Sequence, residues 1–231
     1  MDEVIEEFEE RVVEVAAFLK VLERLENPDV VLVHRRKRRR LRVLKDSSHK
    51  VMKATVFLLI YNLVESAIRS AFRQLYTTIE VEKKTAAELR RELRRVWVGQ
   101  QFDKFAEGTA SLRNYREVAE KLADQIIEDT AIRLSADLLP VSGNLDADVI
   151  RKVCHSHGIP VRTHFRALGG CELETVKRQR NALGHGDVSF SACGQQYAVT
   201  DLKRIHRQSV VFVRSILKNI RRYVEEAAFS A

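Results

Sequence analysis

The chain has 231 residues, enough for one domain with a full core, and its 9 Gly and 3 Pro are too few for a loop-rich or all-β fold. Hydrophobic residues make up 45% and charged residues 31%, which reads as a soluble globule, and no run reaches the roughly 18 apolar residues of a membrane span. A net charge of +8 and a pI near 9.5 favour a polyanionic partner.

The opening MDEVIEEFEE is acidic where a secretory signal is basic and then apolar. Cys154, Cys171 and Cys193 are odd in number and form no CxxC pair, as expected of reduced thiols. Both features point to the cytoplasm. Val4, Ile5, Phe8, Val12, Val15, Leu19, Leu22 and Leu25 then recur at helical spacing until Asn27-Pro28 stops the helix. This helix is acidic, with nine Asp or Glu against three basic side chains in residues 1–26. A short apolar stretch leads into a block in which seven of the eight residues Arg35–Arg42 are basic. Such a block binds nucleic acid, serves as a nuclear address, lies solvated, or pairs with the acidic helix. Arg35, Arg36, Arg38 and Arg39 are the candidate RNA contacts within it. Residues 1–45 read as an appendage, and 46–231 as the helical domain.

A long helix capped by Ser47 or Ser48 runs through KVMKATVFLLIYNLVESAIRSAFRQLYTTIEVE, apolar on more than one face and so largely buried. An amphipathic helix follows, with Leu89, Leu93, Val96 and Trp97 on one side, and Gly108 breaks it. Trp97, Phe102 and Phe105 sit at a spacing that suits core or dimer contacts better than base stacking. The next helix, from about Tyr115 to Leu139, carries the stripe Val118, Leu122, Ile126 and Ile127. A short helix capped near Asn144 or Asp146 stops at Gly158, and a further one ends where Gly184 and Gly186 let the backbone turn. A polar stretch around Gly194 suits a small hairpin before a last helix from Asp201 to about Ala228.

Two groups of residues carry chemistry. Arg180, Asn181 and His185 fall at the end of the Gly184 helix, with His185 just past the turn. Arginine offers a fork of donors shaped for phosphate, and histidine exchanges protons near neutrality. Cleaving RNA without a metal needs such parts: a base for the 2′-OH, a cation for the phosphoryl oxygens, and an acid for the leaving 5′-oxygen. One chain offers a single histidine here, whereas a two-fold dimer offers two. The second group is Asn62 and Glu65, one turn apart in the most apolar helix and sharing a face with Arg69. A buried carboxylate requires a partner, for which Arg180 or the Asn181 amide would serve, although an internal salt bridge that only steadies the bundle is an equal reading.

The segment RNALGHGDVSF, preceded by Lys177 and Arg178, resembles the Arg-x4-6-His signature of the HEPN superfamily in its toxin-type MAE branch. LLIYNLVESAIRSAF at 58–72 and SGNLDADVIRKVCHSHGI at 142–159 resemble further segments of that branch, in the expected order. The resemblance implies an all-α HEPN-type bundle, forming a two-fold dimer that lines one cleft with both motifs. It implies metal-independent endoribonuclease activity leaving a 2′,3′-cyclic phosphate, in toxin–antitoxin modules or antiviral defence, with an antitoxin or regulatory protein as partner. Arg180 would hold the scissile phosphate, His185 would transfer protons, and Asn181 would orient the motif, with Glu65 and Asn62 in support. Lys177 and Arg178 would contact RNA. Some relatives place a modifiable Tyr two residues after the His, where this chain has Asp187. The alternative is a catalytically silent HEPN-like module that binds RNA or a partner protein.

Cys154, His155 and His157 form a Cys-His-x-His cluster without the second ligand pair of a zinc site, so neither metal nor cofactor is expected. Cys154 suits a small buried residue, and the two histidines suit the surface or a supporting place behind the site.

Overall fold

The computed structural model describes residues 1–27, 33–34, 39–40, 46–103, 111–141 and 143–231. Its α-helices are α1 (Asp2–Glu26), α2 (Asp46–Val81), α3 (Arg91–Phe102), α4 (Leu112–Ile127), α5 (Ala147–Ser156), α6 (Glu172–His185), α7 (Phe190–Gln195) and α8 (Val199–Glu225). Two-residue strands β1 (Val33–His34) and β2 (Arg39–Arg40) pair antiparallel, His34 opposite Arg39. The chain is all-α in architecture.

Helix α2 is the axis, with α1, α6, α7 and α8 packed around it. Phe57, Ile60, Tyr61, Ile68, Phe72 and Leu75 are all buried along its length, which explains why its apolar residues cover more than one face. It is, among the described residues, the one helix long and apolar enough to cross a membrane, contrary to the expectation that no segment reaches that length; half of its most apolar stretch is buried within the protein.

Helix α1 is a core element and not an appendage. Its Phe8, Val15, Leu19 and Leu22 lie in the same hydrophobic cluster as α2 and α8, each worth about 1.5–3 kcal/mol when removed from water. Its carboxylates meet cations of α8: Glu9 receives two hydrogen bonds from Arg214 (2.6 and 2.7 Å), Asp2 faces Arg221 at 3.0 Å, and Glu23 pairs with Lys203.

Three further elements depart from the sequence expectation. The segment around Gly194 is helix α7 and not a hairpin, with the Ser189 hydroxyl capping it through the Ala192 N–H. It lies so close to the start of α2 that a Cβ on Gly194 would come within 1.8 Å of the Lys50 carbonyl oxygen. Helix α4 ends at Ile127, before the expected Leu139, and of its stripe only Leu122 is buried while Ile126 and Ile127 face solvent. His157 is a core residue: its ring contacts the Tyr76 hydroxyl and the Val153 carbonyl, both at 2.6 Å. Burial pulls its pKa down to about 4.

Trp97 is buried and Phe102 stacks on Tyr115, whereas Phe105 and Gly108 lie outside the described residues. Cys154 is buried, which pushes its thiol up to about 12, and His155 is exposed.

Candidate active site

Helix α6 positions the motif. It enters the core through Leu173, Val176 and Leu183, and its C-terminus is released by Gly186, whose φ of +80° suits glycine. The helix thus runs through His185, one residue beyond the expected turn. At 100° and 1.5 Å per residue, Arg180 and His185 leave the axis about 140° apart and about 7.5 Å along it. Asn181 and His185, four apart, share a face.

Arg180 is held on several sides. Its guanidinium lies 4.6 Å above the centre of the Tyr61 ring on α2. Its Nη1 donates to Asn181 Oδ1 at 3.0 Å and to the Gly143 carbonyl at 3.4 Å. Asn181 in turn donates from Nδ2 to Asn144 Oδ1 at 3.0 Å, so two neighbouring motif residues grip one loop. Tyr61 is 2% exposed, and its hydroxyl accepts the Leu145 N–H at 3.2 Å, which ties the same loop to α2. Burial, together with the neighbouring Glu65 carboxylate, raises the Tyr61 pKa against the opposing Leu145 N–H and, more weakly, Arg180. A stacked cation of this kind contributes roughly 1–2 kcal/mol when partly desolvated.

Asp146 completes the brace. Its Oδ1 caps α5 through the Val149 N–H at 2.8 Å, and its Oδ2 accepts from Lys177 at 2.5 Å. Burial works to raise this carboxyl, but Lys177 and the Val149 N–H outweigh it and hold the pKa below the usual range. Lys177 also meets Glu174 at 2.6 Å, and its two carboxylate partners raise its own pKa, with Asp146 the larger influence. With both partners in place, the Lys177 ammonium is already paired within the chain. Arg178 beside it is exposed and has no partner among the described residues.

His185 differs from Arg180 in every respect. It is exposed, has no hydrogen-bond or ionic partner among the described residues, and is flanked by the exposed Gly184, Gly186 and Asp187. The supporting pair from α2 also divides. Glu65 receives a hydrogen bond from Arg69 at 3.2 Å, a partner one turn away in its own helix, and no bond from Arg180 or Asn181 is formed. It approaches the motif only through Tyr61. Asn62 is exposed and lines a groove between α1 and α2 with Arg11, Glu14, Phe18 and Leu59, apart from the motif. Arg35, Arg36 and Arg38 lie outside the described residues, and Arg39 is described only as backbone in β2.

Tyr61, Gly143 and Asn144 are the site residues that sequence reasoning missed. An aromatic inside an apolar helix signals packing, and nothing in its spacing distinguishes a ring that carries a guanidinium. Chemically, the arrangement presents a braced guanidinium and, on a different side of the same helix, a solvent-facing imidazole.

Comparison with known proteins places the chain in a family. The profile of the MAE_28990-like HEPN family matches residues 1–229, nearly the whole chain. No characterised protein and no solved structure gives a match.

Proposed function

The chain belongs to the MAE_28990-like HEPN family, a kind of domain that is often a ribonuclease, and from that premise we propose that it is a metal-independent endoribonuclease acting as a two-fold dimer. The observation that carries this reading is the contrast at the end of α6: Arg180 is braced over Tyr61 for an anion, and His185 is left free. In one chain the two side chains diverge, so a cleft containing both is best built from two chains. There the guanidinium of Arg180 binds the scissile phosphate through the donors that Asn181 and Gly143 leave unused. One His185 imidazole takes the 2′-OH proton as the 2′-oxygen attacks phosphorus. The P–O5′ bond breaks, and the partner subunit's His185, as imidazolium, protonates the leaving 5′-oxygen. The products are a 2′,3′-cyclic phosphate and a 5′-hydroxyl. Asn181, on the same face as His185 and fixed to Asn144, orients the strand. The expected setting is cytoplasmic, as a toxin or antiviral effector restrained by a regulatory protein.

The test is incubation of the purified chain with single-stranded and structured RNA in EDTA, with analysis of the new ends. Cyclic phosphate termini are expected. A strict requirement for a divalent ion, or 3′-hydroxyl ends, would sink the mechanism.

A silent binding module is the second reading, and one observation favours it: part of the Arg180 fork is already engaged by Gly143 and Asn181. Expression separates the two readings, because an active toxin arrests growth and a silent module does not.

A further inference from the structure

Helix α8 already shows what it binds. Its Lys203, Arg214 and Arg221 fall within about 20° of one another around the axis, and all three are paired with carboxylates of the acidic, amphipathic α1. About 40–80° further round the same helix come Arg207, Val211 and Lys218. Arg207 and Lys218 are exposed and have no ionic partner among the described residues. The basic stripe of α8 is therefore neutralised along one edge and open along the other.

The open edge faces a groove of about 580 Å³ walled by Phe165, Arg166, Leu168, Arg207, Gln208 and Val211, with no carboxylate among its lining residues. Phe165 is 76% exposed and Leu168 is 60% exposed. Leu168 sits at φ 46° and ψ 43°, a left-handed conformation costly for a leucine, and its own burial does not repay that cost. The side chain of Gln208, itself buried, has its Oε1 without a donor. Lys218 extends the cationic wall into an adjoining hollow lined by His164, Arg166 and Ser215.

We infer that this groove docks an acidic, amphipathic helix from a partner protein, laid along α8 beside α1. Apolar side chains of the incoming helix cover Phe165, Leu168 and Val211, while its carboxylates meet Arg166, Arg207 and Lys218. Aromatic and arginine side chains around an apolar floor are the composition of a protein interface core. An RNA backbone would satisfy the cations but leave Leu168 and Val211 in water. The groove lies at the N-terminal end of α6, the end opposite His185, so an occupant there leaves the proposed cleavage site open. The inference stands whether or not the chain cleaves RNA.

The test uses a probe of the required chemistry, a fluorescent synthetic peptide with the sequence of residues 2–26, and reads its anisotropy on the full-length protein. The wild type is expected to bind the peptide, and the Phe165→Ser, Arg207→Glu double variant to bind at least about tenfold more weakly with an unchanged circular dichroism spectrum. Lys218→Glu, on the same wall, gives an independent reading in the same direction. A peptide with its glutamates replaced by lysine is expected not to bind. The inference is overturned by any of four results: no binding to wild type; equal binding to the variants, as when the peptide merely displaces α1; loss of self-association in the variants with peptide binding intact; or loss of single-stranded RNA binding alone.

Discussion

The two halves of α6 are built on opposite plans. From Lys177 to Asn181 each turn is anchored: Lys177 to Asp146, Arg180 to Tyr61 and Gly143, Asn181 to Asn144. From Gly184 to Asp187 the chain is exposed, and His185 has no hydrogen-bond or ionic partner among the described residues. An anchored cation has met its ordering cost in advance and can receive a phosphate without rearranging. A free imidazole has not, and the missing restraint has to come from substrate or from another chain. Under the proposed function, phosphate recognition would be a property of the fold and proton transfer a property of the assembly.

The largest effects test this contrast at its two poles. Arg180→Ala and His185→Ala should each lower the cleavage rate by about 10²–10⁴-fold, but with different signatures. Loss of Arg180 should also weaken RNA binding and loosen the 143–146 loop. Loss of His185 should leave binding and stability unchanged, because no hydrogen bond or ion pair among the described residues depends on it. A destabilised His185→Ala protein would break the contrast.

A comparison of two histidines sharpens it. His157 is buried, with a folded pKa of about 4 against about 6.5 in an unfolded chain. Below pH 6.5 the unfolded chain takes a proton that the folded one refuses, so stability is full above that pH and is lost as pH falls toward 4. The loss is about 3 kcal/mol from this residue alone. His206, also held near 4 by burial and by Arg214, adds to the same slope. Chemical denaturation at pH 7 and pH 4.5 measures it. His157→Gln should flatten the dependence.

Tyr61 ranks next. Tyr61→Leu removes the ring beneath Arg180 and should reduce cleavage by about tenfold, corresponding to roughly 1–2 kcal/mol. Tyr61→Phe keeps the ring, orphans the Leu145 N–H, and should retain most activity at a stability cost of about 1 kcal/mol. Equal activity losses in both would show that the hydroxyl matters, not the stacking. The smallest effect separates neighbours. Arg178→Ala should weaken RNA binding modestly and lower the salt slope by about one unit. Lys177→Ala should leave that slope alone and cost about 1 kcal/mol of stability.

What could be read from the sequence follows a physical pattern. The course of α2, the Asp146 cap, the close of α6 near its glycines and the motif itself all depend on local signals, and all are visible in the chain. What escaped depends on contacts distant in sequence. Lys177 looks like a free cation until Asp146 folds against it. The acids of α1 could have met the basic block near residue 40, but three of them meet α8 instead. Ile126 and Ile127 complete an apolar stripe that the described residues do not cover. Helix α7 is too short to show a period, and the close approach at Gly194 is the reason it packs. Glu65 found the nearest cation, Arg69, one turn along its own helix, a pairing as visible in the spacing as the Arg180 alternative.

The central claim, that one cleft needs both imidazoles of a dimer, is tested most directly by subunit mixing. Wild-type chains are re-associated with increasing proportions of His185→Ala chains, and cleavage is measured at constant total protein. The account predicts that activity falls as the square of the wild-type fraction, because a mixed pair holds only one of its two proton-transfer groups. A linear decline, with each chain cutting RNA by itself, would contradict it.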